Sequence, residues 1–150
     1  SNSNPYTPAV NLVFALDESL KMMREEGLDN IFFRHNKHKL AMSNAVKALN
    51  LKLFADEKYL SPSITAVKTE GIDAEEFRKT IKNNFDILLA GGQDHMKGKI
   101  FRVGHLGYVN DRDIITVVSA ISNTLLNLGK ITAQQAGEAL VVASRYLEEN

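Results

Sequence analysis

The chain has 150 residues, enough for one domain or one compact lobe of a larger protein, and 44% of them are apolar, so a real core can form. Basic and acidic residues number 18 each, and the resulting zero formal charge argues against a nucleic-acid or membrane-surface partner. There is no cysteine, which excludes disulfides, zinc–thiolate and iron–sulfur sites and a cysteine nucleophile within this segment, and suits a cytoplasmic setting.

The opening Ser1-Asn2-Ser3-Asn4 is polar. Residues 1–6 read as a leader of the kind that cloning leaves behind, and residues 7–150 as the domain. A start this abrupt, one step before a helix, points to an upstream domain outside the sequence. Thr7-Pro8 predicts an N-cap followed by proline in the first helical position. Ala9, Val13, Leu16, Leu20 and Met23 then recur at helical spacing, and Gly27 stops the helix. A second helix is expected from about Asp29 to Leu49, with the stripe Ile31, His35, His38, Met42, Ala45 and Leu49. The minimal link predicts an antiparallel helix pair.

Leu51, Leu53 and Phe54 suggest a short strand, Ser61-Pro62-Ser63 a turn, and Ile64 to Val67 a second strand. Asp73-Ala74-Glu75-Glu76 carries a capping signature and opens a helix with Phe77, Ile81 and Phe85. Ile87-Leu88-Leu89 is expected as a third strand. Gly91 to His95 begins a loop that leads into a fourth strand, the one that carries Arg102. Asp111 starts a helix with Ile114, Val117, Val118, Ile121, Leu125 and Leu128 on one face and Gly129 at its end. The apolar run Ile114 to Leu126 inside it is broken by Thr116, Ser119, Ser122 and Asn123, and is too short and too polar to span a bilayer. Thr132 to Gln135 is a second capping box, and Ala136, Leu140, Ala143 and Leu147 of the last helix face inward. The order predicts an α+β fold: a small antiparallel or mixed sheet of three to four strands with helices packed on it, built as a split β-α-β-β-α unit and preceded by the helix pair.

The most informative segment is Lys99-Ile100-Phe101-Arg102-Val103-Gly104-His105-Leu106-Gly107. As a strand it sends Phe101 and Val103 to one face and Ile100, Arg102 and Gly104 to the other. An arginine centred in an apolar strand needs an anion, because its guanidinium cannot be neutralised. Gly104 and Gly107 keep the approach to it clear of side chains. A planar, permanently charged fork in cleared space suits a small carboxylate. The structural alternative pairs Arg102 with Asp111 or Asp113. His105 could line the same site. His35 and His38, at i and i+3, have a spacing that can bind metal, but no third ligand is evident and both lie on the packing stripe, so they read as core histidines and no metal site is assigned. Gly92 to Lys99 fails as a phosphate loop, because the glycine spacing is wrong and Ile100 stands where Ser or Thr is required.

Thr7-Pro8-Ala9-Val10, Glu26-Gly27-Leu28, Arg34-His35 and Phe101 to Gly107 occur in this order, and together they resemble the C-terminal part of a class V pyridoxal-phosphate aminotransferase of the serine–glyoxylate and alanine–glyoxylate type. The resemblance runs from about Tyr6 to Leu128 and continues more weakly through the last helix. It implies a homodimer of two-domain subunits in which this segment is the small C-terminal domain beside its own N-terminal large domain. It implies that Arg102 grips the α-carboxylate of an amino-acid or oxo-acid substrate, and that Thr7 reaches the phosphate of pyridoxal 5'-phosphate in the neighbouring subunit's site. A tyrosine that touches that phosphate in alanine–glyoxylate relatives corresponds here to Asn4, and its role is not carried over. The family's cofactor-bearing lysine, the aspartate on the pyridine nitrogen and the stacking aromatic all lie upstream, so the isolated segment is expected neither to bind cofactor nor to transaminate. The rival readings are a stand-alone small-carboxylate binding module, and kinship with cyanobacterial relatives named as soluble hydrogenase small subunits. Hydrogenase metals are held by thiolates, and this segment has none.

Overall fold

The structure, a computed structural model, describes residues 6–148. Asn4 and most of the leader lie outside the described residues. The chain divides into two compact units, Ser1–Arg34 and His35–Asn150.

In the first unit, helix α1 (Val10–Glu26) ends at Gly27, whose φ of 83° is open to glycine without strain. Helix α2 (Leu28–Ala48) begins at the next residue. Arg34 clasps Glu26 through two parallel bonds, Nε to Oε1 at 2.6 Å and Nη2 to Oε2 at 2.9 Å. No residue of α1 is buried, and Phe32 and Phe33 are exposed.

The expected cap at Thr7 is displaced. Ala9 is the N-cap, and it makes no side-chain bond to the helix. Its φ of −76° and ψ of 66° are those of an inverse γ-turn, in which the Val10 N–H donates to the Pro8 carbonyl at 2.9 Å. That turn moves the helix start two residues downstream and leaves Thr7 exposed ahead of it.

The second unit holds the rest of α2, then β1 (Lys52–Leu53), β2 (Ile64–Lys68), α3 (Ala74–Phe85), β3 (Ala90–Gly91), β4 (Ile100–Gly104), α4 (Asp111–Asn127) and α5 (Ala133–Glu148). The sheet order is β1-β2-β4-β3, and every pairing is antiparallel. β2 and β3 thus run the same way on either side of β4, joined by α3, which is the split β-α-β arrangement. Asp73 caps α3 by accepting from the Glu75 and Glu76 N–H groups. Asn110 and Asp113 form a reciprocal box at the start of α4, and Thr132 and Gln135 form another before α5.

The core gathers Met42, Ala45, Val46 and Leu49 of α2, Val67, Phe101 and Val103 of the sheet, Phe77 and Ile81 of α3, Ile114 to Leu125 of α4 and Ala139 and Ala143 of α5. The Phe77 and Phe101 rings meet at 5.2 Å between centroids. Leu128 remains half exposed, outside the stripe assigned to it.

The third strand is not at Ile87 to Leu89 but at Ala90–Gly91. Ile87 and Leu89 do pack toward the core, while Leu88 is exposed. The Leu89 carbonyl accepts from Nε of Arg78 at 2.8 Å, so a side chain occupies the acceptor that a neighbouring strand would have used. Three residues on, Gly92 sits where an added Cβ would lie 2.0 Å from the Met96 carbonyl oxygen. We expect Gly92→Ala to destabilise the second unit by about 1–3 kcal/mol through forced opening of the 92–99 loop, read as a lower urea midpoint at unchanged slope.

Candidate functional site

Arg102 occupies the middle of β4, directly opposite Ala66 of β2 and Ala90 of β3. Opposed residues in antiparallel strands share a face. That face carries Lys52, Ile64, Ala66, Lys68, Ala90, Ile100, Arg102 and Gly104 at strand positions, and none of them is acidic. The two alanines flank the half-buried arginine without covering it. A Cβ added at Gly104 would meet nothing closer than the Leu106 side chain at 3.8 Å, so the space two residues along from Arg102 is open, as expected. Gly107 does something else: its φ of 78° makes it a turn residue.

One hydrogen bond fixes the guanidinium. Arg102 Nε donates to the Gly91 carbonyl at 2.9 Å. Gly91 is bare for its own reason: a Cβ there would come within 2.5 Å of Nη1 of Arg78, which is ion-paired to Glu75 at 2.8 Å. Two arginines thus hold the short edge strand, one through Leu89 and one through Gly91. Among the described residues, neither terminal nitrogen of Arg102 has a hydrogen-bond or carboxylate partner. The two aspartates considered as structural partners are engaged elsewhere. Asp113 accepts from the Asn110 N–H at 2.9 Å, and Asp111 accepts from Lys37 at 2.9 Å and pairs with His38 at 2.8 Å. The arrangement leaves two parallel N–H donors free to take a carboxylate in the bidentate manner.

His105 cannot line this site. Strand alternation sends it to the opposite, core-facing side, where it is fully buried. Its Nε2 lies 2.9 Å from the Thr65 hydroxyl. Burial pushes its pKa down to about 4 from an ordinary 6.5, and His38 and His35 of α2 oppose its protonation further, while backbone groups of Pro62 and of His105 itself pull weakly the other way.

His38 is buried as well and serves as a core histidine held by Asp111. Among the described residues, no three His, Asp or Glu side chains are grouped so as to hold a metal ion. Burial disfavours the Asp111 carboxylate, but the bonds from Lys37 and His38 outweigh that and hold it below the usual carboxylate range. Lys37 also donates to the Leu147 carbonyl at 3.2 Å, so this cluster ties α2 to the start of α4 and the end of α5. The sequence carries no local signal for it, since Lys37 and Asp111 are 74 residues apart.

Thr7 belongs to the first unit and Arg102 to the second. The Thr7 side chain is exposed, and its hydroxyl makes no hydrogen bond among the described residues.

No family model matches the chain. It is similar to a soluble hydrogenase small subunit from a Synechococcus strain, with 51% identity over 97% of this chain and 38% of that protein. It is similar to the serine–glyoxylate aminotransferase of Methylorubrum extorquens, with 34% identity over 97% of this chain and 36% of the enzyme. Among solved structures, the ureidoglycine–glyoxylate aminotransferase of Bacillus subtilis matches with a TM-score of 0.85 at 31% identity, covering 93% of this chain and 37% of that one. The chain therefore spans little more than a third of the length of these relatives. No helix among the described residues is long and apolar enough to cross a membrane.

The His105 environment has a consequence for stability. Its folded pKa is depressed, so its contribution is complete above the unfolded value of 6.5 and is lost as pH falls toward about 4, where the folded imidazole finally accepts a proton. Between about pH 7.5 and pH 5 the unfolding free energy should fall by about 2 kcal/mol on this account. Urea titrations at the two pH values should show that loss, and His105→Gln should flatten it.

Proposed function

This chain belongs with the class V aminotransferases of the serine–glyoxylate and alanine–glyoxylate type, and from that premise we propose that it is the C-terminal domain, residues 7–150, of a longer pyridoxal-phosphate enzyme. The reaction moves an amino group between a small amino acid, serine or alanine, and glyoxylate or pyruvate. The enzyme is a cytoplasmic homodimer.

The observation that carries this reading is the state of Arg102. A half-buried cation with both terminal nitrogens unpaired among the described residues, on a sheet face with no acidic residue at a strand position, is a costly feature unless an anion completes it. The acid end of an amino acid or oxo acid supplies that anion, and it suits the planar fork better than a point charge would. Arg102 then fixes one end of the substrate so that its α-carbon stands in a constant place, which is the entropic part of the acceleration.

Bound pyridoxal phosphate would supply the electron sink for loss of the α-proton. Of the groups that hold it, this chain offers the Thr7 hydroxyl. That side chain is exposed and unused in capping α1, and so is available to donate to a phosphate oxygen. The lysine that carries the cofactor belongs to the upstream portion.

The hydrogenase name borne by some relatives is the weaker reading. With no cysteine in 150 residues, this segment contributes no thiolate to an iron or nickel centre, whereas the Arg102 face matches what an aminotransferase requires.

In the full-length enzyme, Arg102→Ala should weaken binding of the amino acid by about 2–5 kcal/mol while the cofactor stays bound. Titration of the cofactor absorbance with alanine and with serine measures both quantities, and unchanged affinity would overturn the assignment. Thr7→Val should instead loosen the cofactor by about tenfold, measured as its loss on dialysis.

A further inference from the structure

β4 is short, and Arg102 at its centre has to be held in one register for its fork to stand open. The β2–β4 ladder runs from Lys68 opposite Ile100 to Ile64 opposite Gly104. Beyond its last pair, the His105 N–H donates to the Ser63 carbonyl at 2.9 Å and lengthens the ladder by one bond.

The His105 side chain adds a second tie of a different kind. Thr65 stands opposite Val103, one position from Ala66, which stands opposite Arg102. His105 lies two residues beyond Val103 on the same face, and its ring reaches back diagonally to the Thr65 hydroxyl at 2.9 Å. Both side chains are buried, at 0% and 3% exposure. A buried polar pair of this sort is satisfied in one register alone. A slip of one residue would carry His105 to the Arg102 face and leave the Thr65 hydroxyl without its acceptor or donor.

We infer that His105, held by Thr65, is a positioning residue for Arg102, pinning the end of the arginine-bearing strand from the side of the sheet that the substrate never touches. The inference rests on the reading of Arg102 as the carboxylate anchor. His105 is faced by Thr65 from β2, the backbone of Pro62, and His35 and His38 from α2, with His38 in turn held by Asp111. None of these carboxylates or imidazoles lies at a strand position on the Arg102 face. Any effect of the pair on substrate affinity must therefore travel through β4.

The test is a KM-against-kcat comparison in the full-length enzyme. Thr65→Val removes the hydroxyl at nearly constant volume, Thr65→Ser restores it, and His105→Gln keeps an amide near the position of Nε2. Thr65→Val should raise KM for both amino donor and oxo-acid acceptor about tenfold, with kcat and cofactor absorbance held within about twofold. Thr65→Ser should return KM to the wild-type value, and His105→Gln should fall between the two.

Arg102→Lys run in parallel separates the two readings. If it raises KM while Thr65→Val and His105→Gln do not, the positioning role is wrong and the anchor stands. If Arg102→Lys leaves KM unchanged, the anchor is wrong and the positioning role falls with it. Should Thr65→Val fail to fold, His105→Gln carries the same comparison. A joint fall of kcat, KM and cofactor content in the folded variants would mean general damage and would also overturn the inference.

Discussion

Nε of Arg102 donates to the Gly91 carbonyl at 2.9 Å, and that bond sets a permanent cation in the middle of a four-stranded sheet while its terminal nitrogens have no partner among the described residues. Much of the local sequence makes sense as accommodation of this arrangement. The residues directly across from it on both sides are alanines, the position two residues along is glycine, and the facing strand positions are free of acid. A glutamate at either alanine would neutralise the fork and close it to ligands. Gly91 is equally constrained, because it must offer its carbonyl to one arginine while leaving its side-chain space to another.

A second polar cluster does opposite work. Asp111 satisfies both Lys37 and a completely buried His38, and Lys37 reaches on to the end of α5. Here the charges complete one another within the unit, so no ligand is called for. The contrast with Arg102 is instructive, since both involve a basic group partly withdrawn from water. What separates a structural cation from a binding one is whether a carboxylate from the same unit arrives, and at Arg102 none does among the described residues. Truncating one member of the first kind of cluster leaves a buried group stranded, which costs stability. On the proposed reading, truncating Arg102 removes an incomplete interaction, and its cost falls on ligand binding rather than on folding.

The relatives carry two kinds of name, and physical chemistry bears on them unequally. The proposed aminotransferase reading asks this segment for a cationic grip on a carboxylate, and Arg102 is the side chain offered for it. Hydrogenase chemistry needs thiolate ligands, and none can come from a segment without cysteine. Likeness over a third of a protein's length speaks to shared descent of that third.

Read alone, the sequence determined features whose causes are local. Asp73 and Thr132 mark helix starts because a short oxygen-bearing side chain meets free N–H groups within three residues, and Gly27 and Gly129 mark ends because both need a positive φ. The two-residue alternation around Arg102 put it on a face apart from Phe101 and Val103, which is where it stands. Tertiary structure decided whatever depended on distant partners. An inverse γ-turn took the cap from Thr7, and Arg78, eleven residues before Leu89, drew off the carbonyl that made Ile87 to Leu89 look like a strand. The burial of His105, the engagement of Asp111 by α2 rather than by the sheet, and the lack of a carboxylate partner for Arg102 among the described residues are likewise outcomes of packing. A hydrogen bond between residues 40 or 74 positions apart leaves no periodicity to read, and only the folded chain brings its two ends within 3 Å.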